Sequence, residues 1–352
     1  MSRSLKYFEA LREAQDQCMA VDDSVYVMGL GVPDPLGIFG TTKGLQEKYG
    51  AARVMDIPLA ENAMTGVAIG SAITGMRPVM THQRVDFALV AMEQIINQAA
   101  KWHYMFDGVH KVPLVIRMII GRGWGQGPQH SQSLQSLFAH IPGLIVVMPT
   151  TAYDAKGLLI SAIENDNPVV ILEHRWLYGI TDQVPTEMYR VPLGKAHVMR
   201  EGTDVSLVGL SYMSLENVRA AELLEARGVS AEVIDVRSLR PLDEQTILAS
   251  VRKTGRLVMA DTASKMYGAS AEVVALVCEK AFEALKCQPE RVALPDYPAP
   301  TSPALSVDYY PRAADIAAKV LVMLGHEVDE ALFAIAEGQN HDQPDPTFTG
   351  PF

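Results

Sequence analysis

Two stretches of the 352-residue chain combine chemistry-bearing side chains with residues that let a ligand or a backbone approach closely. In the first, Asp56-Ile57-Pro58-Leu59-Ala60-Glu61-Asn62-Ala63-Met64-Thr65-Gly66, Glu61 stands among apolar neighbours and precedes Gly66, Ala68, Gly70, Ser71, Ala72 and Gly75. The glycines and the serine cost helix propensity, so the value of this small-residue run is close packing against another backbone, including one from another subunit. A carboxylate entering such a surface loses water, and its pKa rises unless a donor pairs with it. The plainer reading is a first-turn glutamate favoured by the helix dipole. In the second stretch, Gly121-Arg122-Gly123-Trp124-Gly125-Gln126-Gly127-Pro128 leads into Gln129-His130-Ser131-Gln132-Ser133. A glycine-dense loop after a parallel strand is where open α/β sheets place ligands. His130 is the histidine singled out among nine, because its neighbours are polar and not an apolar helix face. Such a residue can exchange a proton near neutral pH, or serve as a hydrogen-bonded structural histidine.

Other chemistries are excluded or unsupported. Gly29-Leu30-Gly31 lacks the third glycine of a dinucleotide fingerprint, which Asp34 replaces, and no G-x-x-x-x-G-K-[ST] loop occurs. His82, His103, His140 and His174 have no i, i+4 histidine or cysteine partner, and Cys18, Cys278 and Cys287 form no C-x-x-C pair. Neither a transition-metal cage nor a disulfide framework is indicated, and a reducing, cytoplasmic setting is expected. Thirty basic against 41 acidic residues give a formal charge of −11, which argues against a surface built for nucleic-acid phosphates. Charges punctuate Met1–Ala20, so no secretory signal is read there. The apolar run from Val112 to Ile120, with Arg117 inside it, is far shorter than the roughly 20 residues that span a bilayer. No membrane partner is expected.

Positioning these loops requires strands and crossover helices. Apolar runs at Ser24–Leu30, Pro78–Thr81, Pro113–Ile120, Leu144–Met148 and Pro168–Leu172 read as strands covered on both faces, as in a parallel sheet. Helices are expected over Asp86–Tyr104 and Tyr153–Glu164. Pro185, Pro192, Gly194 and Gly202 interrupt the pattern, giving a connection over 181–203 after a first domain of residues 1–180. A smaller α/β domain over 204–326 follows, with strands at Asp204–Leu210, Ala231–Val236 and Arg256–Ala260. Its helices are expected at Met213–Arg227, Asp243–Arg252, Ala269–Ala284 and Pro311–Leu324. Residues 327–352 form a C-terminal extension, and its proline-rich part, Glu337–Phe352, reads as a tail or docking arm.

Several consecutive motifs resemble the β subunit of the thiamine-diphosphate-dependent 2-oxoacid dehydrogenase first (E1) component, of the transketolase-like superfamily. They are Pro58-Leu59-Ala60-Glu61-Asn62, Gln83 through Phe87, Gln94–Lys101, Gln129–Ser133, Asp154–Leu159, Val236–Asp243 and Thr254–Val258, in order between about Leu5 and Leu324. The resemblance implies a two-domain α/β fold: a parallel-sheet pyrimidine-binding domain of transketolase type, then a transketolase C-terminal domain. It implies an α2β2 heterotetramer in which the E1 α subunit holds the diphosphate and Mg²⁺ through a Gly-Asp-Gly motif and a later asparagine. This chain has no Gly-Asp-Gly, so it should supply only half of each site. By the same resemblance Glu61 hydrogen-bonds the aminopyrimidine ring, Leu59 and Gln83 line its pocket, Phe87 packs on the ring, and His130 serves near the substrate and in acyl transfer. A monovalent cation (K⁺) would sit near Ala162, Asn165 and Asn167. The implied reaction is oxidative decarboxylation of a small 2-oxoacid with acyl transfer to a lipoyl-bearing acyltransferase (E2).

Departures from the family pattern bear on substrate. Where many members carry an aromatic after the glutamine, this chain has Gln83-Arg84-Val85-Asp86-Phe87. An Arg84 facing the pocket would favour an anionic or hydroxylated substrate, whereas one facing outward would be a surface or subunit-contact residue. Arg122 and Trp124 raise the same question. Two alternatives stand beside the dehydrogenase: a split transketolase-like carboligase acting on polar carbonyl compounds, and a noncatalytic scaffold subunit.

Overall fold

The computed structural model describes residues 2–123, 125–334 and 342–344. Trp124 lies outside the described residues, as does the expected tail over 337–352 except at 342–344. The chain divides into two units: one built from the chain up to Ile120 with Leu137–Leu193, the other from Gly121–Ser136 with the chain from Gly194 onward.

The first unit contains β1 (Ser2–Lys6), α1 (Tyr7–Val21), β2 (Val25–Gly29), α2 (Leu45–Tyr49), β3 (Val54–Met55), α3 (Glu61–Ile73), β4 (Arg77–His82), α4 (Val85–Ala88), α5 (Ala100–Met105) and β5 (Val115–Ile120). After α6 (Gln135–Ala139) come β6 (Ile145–Val147), α7 (Ala152–Glu164), β7 (Val169–His174) and β8 (Thr181–Pro185). Six strands of this unit run parallel in the order β6-β7-β5-β4-β2-β3. Every residue of β2, β5 and β7 is buried, as expected of strands covered on both faces. Burial of Arg117 in β5 is made tolerable by Glu173 of β7, which it grips through Nε–Oε1 at 2.6 Å and Nη2–Oε2 at 2.9 Å. The Tyr178 hydroxyl donates to the same carboxylate at 2.6 Å. A buried charge is retained only when it is paired and hydrogen-bonded in this way.

The expected helix over 86–104 is instead a succession of different turns: α4, a 3₁₀ turn at Leu89–Ala91, a π segment at Gln94–Ala99 and α5. Val85, Ala88, Ala91, Ile95 and Ala99 still form one buried stripe, so the apolar pattern survives while the hydrogen-bond register slips. The expected connection over 181–203 also carries strands. β8 pairs antiparallel with β1, from Lys6 opposite Thr181 to Ser2 opposite Pro185. The buried Lys156 ammonium of α7 donates to the carbonyls of Pro185 and Glu187 and pairs with Glu13, holding this stretch in the first unit.

The second unit contains β9 (His197–Arg200), β10 (Val205–Gly209), α8 (Tyr212–Glu225), β11 (Ala231–Asp235), β12 (Ser238–Arg240), α9 (Glu244–Thr254), β13 (Leu257–Ser264), α10 (Ala269–Ala281), β14 (Glu290–Leu294) and α11 (Ala313–Met323). Its sheet runs β14-β13-β10-β11-β9, parallel except for β9. Among the described residues no helix is long and apolar enough to cross a membrane.

Candidate active site

In the first unit the chain passes from β2 outward to β3, then returns through α3 to β4 on the other side of β2. Such a reversal opens a crevice at the carboxyl ends of the strands. A cleft lies there, lined by Leu30 after β2, Ile57, Pro58 and Leu59 after β3, Glu61 at the start of α3, and Thr81, His82, Gln83 and Phe87 at and beyond the end of β4. Four residues expected at a cofactor ring, Leu59, Glu61, Gln83 and Phe87, are therefore brought together although 28 positions separate the outermost pair.

Local bonds hold the cleft walls. Gln83 Nε2 donates to the Leu30 carbonyl at 2.7 Å, joining the ends of β4 and β2. Asp56 Oδ1 accepts from the backbone N–H of Gly31 at 2.9 Å and of Ile57 at 3.0 Å, joining the loops after β2 and β3. Gly31 has φ +73°, and a Cβ there would meet Gln83 Nε2 at 2.9 Å, so the turn needs glycine for both conformation and space. Sequence reasoning assigned no role to Asp56, Gly31 or His82. A carboxylate one residue after a short strand was the available signal for Asp56; His82 carried none, because its place depends on the β4 terminus.

Glu61 is the first residue of α3, whose N-cap, Ala60, offers no side-chain acceptor. The expectation of a desolvated carboxylate does not hold within this chain: Glu61 is half-buried, and neighbouring Leu59 is 76% exposed. The reason is position, since the cleft mouth and the face of α3 bearing Asn62, Ala63, Val67 and Gly70 remain open. Thr65, one turn along on the inner face, places its hydroxyl 3.5 Å from His82 Nε2. Burial pushes His82 down to about 4, so its imidazole is neutral near pH 7.

Arg84 does not line this cleft, and it is not a surface residue: only 2% of it is exposed. The outward-facing alternative is corrected. Burial, reinforced by the Arg175 guanidinium, pushes Arg84 down to about 10, against the opposing pull of Asp86. His174, at the end of β7, is pushed to about 3 by burial and by Arg84. The Arg175 guanidinium itself lies over the rings of Phe39 and Tyr178.

His130 and Arg122 belong to the second unit. His130 ends a short 3₁₀ turn, Pro128–His130, and is half-exposed. Arg122 is fully buried, and its guanidinium donates to the carbonyls of Pro300 and Thr301 and to Ser306 Oγ. Of the two orientations open to Arg122, the structure gives the inward one, with its donors directed to Pro300, Thr301 and Ser306 of its own unit. A much larger cavity of about 1360 Å³ also lies in this unit, lined in part by Glu216, Arg219, Tyr267, Arg291 and Arg312. None of the residues expected to do chemistry lines it.

At the carboxyl end of α7, Asn165 N–H donates to Ala162 O at 3.2 Å, and Asn165 Oδ1 accepts from the backbone and side chain of Asn167. The Arg77 guanidinium donates to the carbonyls of Ile163 and Asn165 and pairs with Asp166, whose carboxyl is held low by Lys111 and Arg77. The Ile163 and Asn165 carbonyls and the Asp166 carboxylate thus already face positive charge from the protein, whereas the Ala162 carbonyl accepts from a backbone N–H. Among the described residues no three histidine, cysteine, aspartate or glutamate side chains are placed to hold a metal ion.

Comparisons with known proteins give the family of both units. Residues 3–181 match the transketolase pyrimidine-binding domain, and residues 194–316 match the transketolase C-terminal domain. Subunit β of acetoin:2,6-dichlorophenolindophenol oxidoreductase from Cupriavidus necator is 45% identical over 90% of this chain and 97% of its own. Mitochondrial pyruvate dehydrogenase E1 component subunit β-2 from Oryza sativa is 43% identical over 88% and 83%, respectively. Among solved structures, a split-gene transketolase described as an inactive β4 tetramer superposes with a TM-score of 0.75 at 26% identity, covering 91% of this chain and 98% of its own.

Proposed function

The chain belongs to the transketolase-like family of E1 β subunits of pyruvate and acetoin dehydrogenases, and from that premise we propose a composite thiamine-diphosphate site in which this subunit supplies the pyrimidine half. The proposed reaction is oxidative decarboxylation of a small 2-oxoacid, with the acyl group passed to a lipoyl domain of an E2 acyltransferase. The observation that carries the reading is the convergence of Glu61, Leu59, Gln83 and Phe87 on one cleft at the sheet's switch point.

The residues suit an aminopyrimidine. A carboxylate, an amide, an aliphatic side chain and an aromatic ring are the groups a flat heterocycle with ring nitrogens requires. When bound, the cofactor supplies the nucleophilic carbon and the electron sink that decarboxylation needs. Glu61 would hold a proton at the pyrimidine ring nitrogen. Phe87 and Leu59 would pack against the ring, and Gln83, tied to Leu30, would line its pocket. The face of α3 left open beside Glu61 is where an α subunit would complete burial and bring the Mg²⁺-diphosphate half. His130 acts near the substrate and in acyl transfer. Three free cysteines accord with a cytoplasmic, reducing location. A K⁺ near Ala162, Asn165 and Asn167 would have to share the Asn165 carbonyl with the Arg77 guanidinium.

The test is coexpression with an α-type chain carrying Gly-Asp-Gly. Glu61→Gln should copurify with α normally yet lower turnover by about 100-fold or more, the scale of a lost acid–base group. Unchanged turnover in the assembled variant would favour a scaffold subunit. A substrate panel of pyruvate, branched-chain 2-oxoacids and acetoin separates the remaining readings. Turnover of acetoin alone would replace the oxoacid class, and lipoyl-independent carbon–carbon bond formation would replace the dehydrogenase by a carboligase.

A further inference from the structure

The loop that carries His130 is tied to the C-terminal extension by a buried ion pair. Arg122 Nη2 lies 2.7 Å from Asp342 Oδ2, with no exposed surface on the arginine side chain and 6% on the aspartate's. The other acceptors of the guanidinium are uncharged: Pro300 O at 2.9 Å, Thr301 O at 3.0 Å and Ser306 Oγ at 2.7 Å. Asp342 is thus the carboxylate that balances this buried cation among the described residues. It is itself held in place, because Arg312 donates from both terminal nitrogens to the next two carbonyls, Gln343 O and Pro344 O, each at 2.7 Å.

The rest of the loop is set against the same segment. A Cβ on Gly127 would lie 2.5 Å from Thr301 Oγ1, so the backbone there runs in direct contact with residues whose carbonyls Arg122 holds. At the far end Gln135 Nε2 donates to Asp261 Oδ1 at 2.6 Å and to Thr262 Oγ1 at 3.1 Å. His130 sits between these two anchors, and its own turn is closed by His130 N–H to Gly127 O at 3.1 Å. All of these residues belong to the second unit.

We infer that Asp342 is a positioning residue, which by neutralising Arg122 holds the glycine loop and so sets the place of His130. The C-terminal extension is then part of the apparatus for acyl transfer. Removing the carboxylate leaves a buried guanidinium without countercharge, the costly way to break such a pair. The loop yields first, since its glycines resist displacement least. This inference rests on the role proposed above for His130, and the experiment separates the two.

The experiment compares the full-length protein, assembled with its α partner, with Asp342→Asn, Asp342→Glu and a chain ending at Ala334. Hydrogen–deuterium exchange of peptides covering 121–136 reads the loop. Dye-coupled decarboxylation and acylation of a free lipoyl domain read the two half-reactions. Asp342→Asn and the truncated chain should exchange about tenfold faster in the loop, as expected for a lost buried ion pair, and lose acylation more than decarboxylation. Asp342→Glu should restore most of both. Exchange in 121–136 unchanged in both Asp342→Asn and the truncated chain overturns the inference, whatever the activity. Faster exchange, combined with wild-type acylation by His130→Ala, overturns the role given to His130 and with it the catalytic consequence of the tie.

Discussion

Gln83 Nε2 and the Leu30 carbonyl oxygen lie 2.7 Å apart, and this bond ties the loops that leave β4 and β2 just past the end of their backbone ladder, where the cleft begins. Gly31 stands immediately beside it, at φ +73°. Gly31→Ala should weaken thiamine-diphosphate binding by the assembled enzyme about tenfold, because the new Cβ collides with Gln83 Nε2 and the backbone conformation disfavours it. Adding Gln83→Ala removes the collision but not the backbone strain. Titration calorimetry on the two single variants and the double variant should therefore give a double-mutant cost smaller than the sum; strict additivity would show that the amide does not define the cleft.

The Arg117–Glu173 pair should dominate the stability of the first unit. Glu173→Gln leaves a fully buried guanidinium without its charge partner and is expected to cost about 3–5 kcal/mol in chemical denaturation. A loss below about 1 kcal/mol would mean that Gln15, whose Oε1 accepts from Arg117 Nη1 at 3.2 Å, suffices to hold the cation.

Acid should destabilise the protein through its buried histidines before most carboxylates titrate. His82 and His174 are depressed to about 4 and about 3, so the unfolded chain, with ordinary histidines, binds more protons below about pH 6.5. Their contribution to stability is complete above about pH 6.5 and falls by roughly 1.4 kcal/mol per pH unit per histidine as the pH drops toward their folded values. His82→Gln should flatten the pH dependence of Tm between pH 6.5 and 4. A slope identical to that of the wild type would place the imidazole in water.

Arg77 should do at the end of α7 what a bound cation would otherwise do. Arg77→Ala removes donors from Ile163 O and Asn165 O and one partner of Asp166, with an expected cost of about 1–3 kcal/mol. Replacing sodium by potassium at equal ionic strength should shift the wild-type Tm by less than about 1 °C. A potassium-specific rise of several degrees would establish a cation site there.

How much of this was legible depended on the range of the interactions. The buried strands β2, β4, β5 and β7 could be read because burial on both faces imposes uninterrupted apolar runs. β3 has two residues and β8 is largely exposed, so neither leaves such a run. The expected helix over 86–104 kept its apolar stripe in the sequence, yet its 3₁₀ and π turns are register shifts that side-chain chemistry does not encode. Arg122 was conspicuous by type but its orientation was open, because its counterion is 220 positions away and belongs to an extension with no apolar pattern.

By itself the sequence determined the α/β alternation and which residues stand as candidates for chemistry, since residue type and local periodicity are properties of neighbouring positions. Tertiary structure alone decided that Glu61 stands at an open cleft mouth, that Arg84 is buried and that Arg122 faces the C-terminal extension. Desolvation and charge pairing are set by whatever packs against a side chain, and those partners are fixed only when distant segments meet.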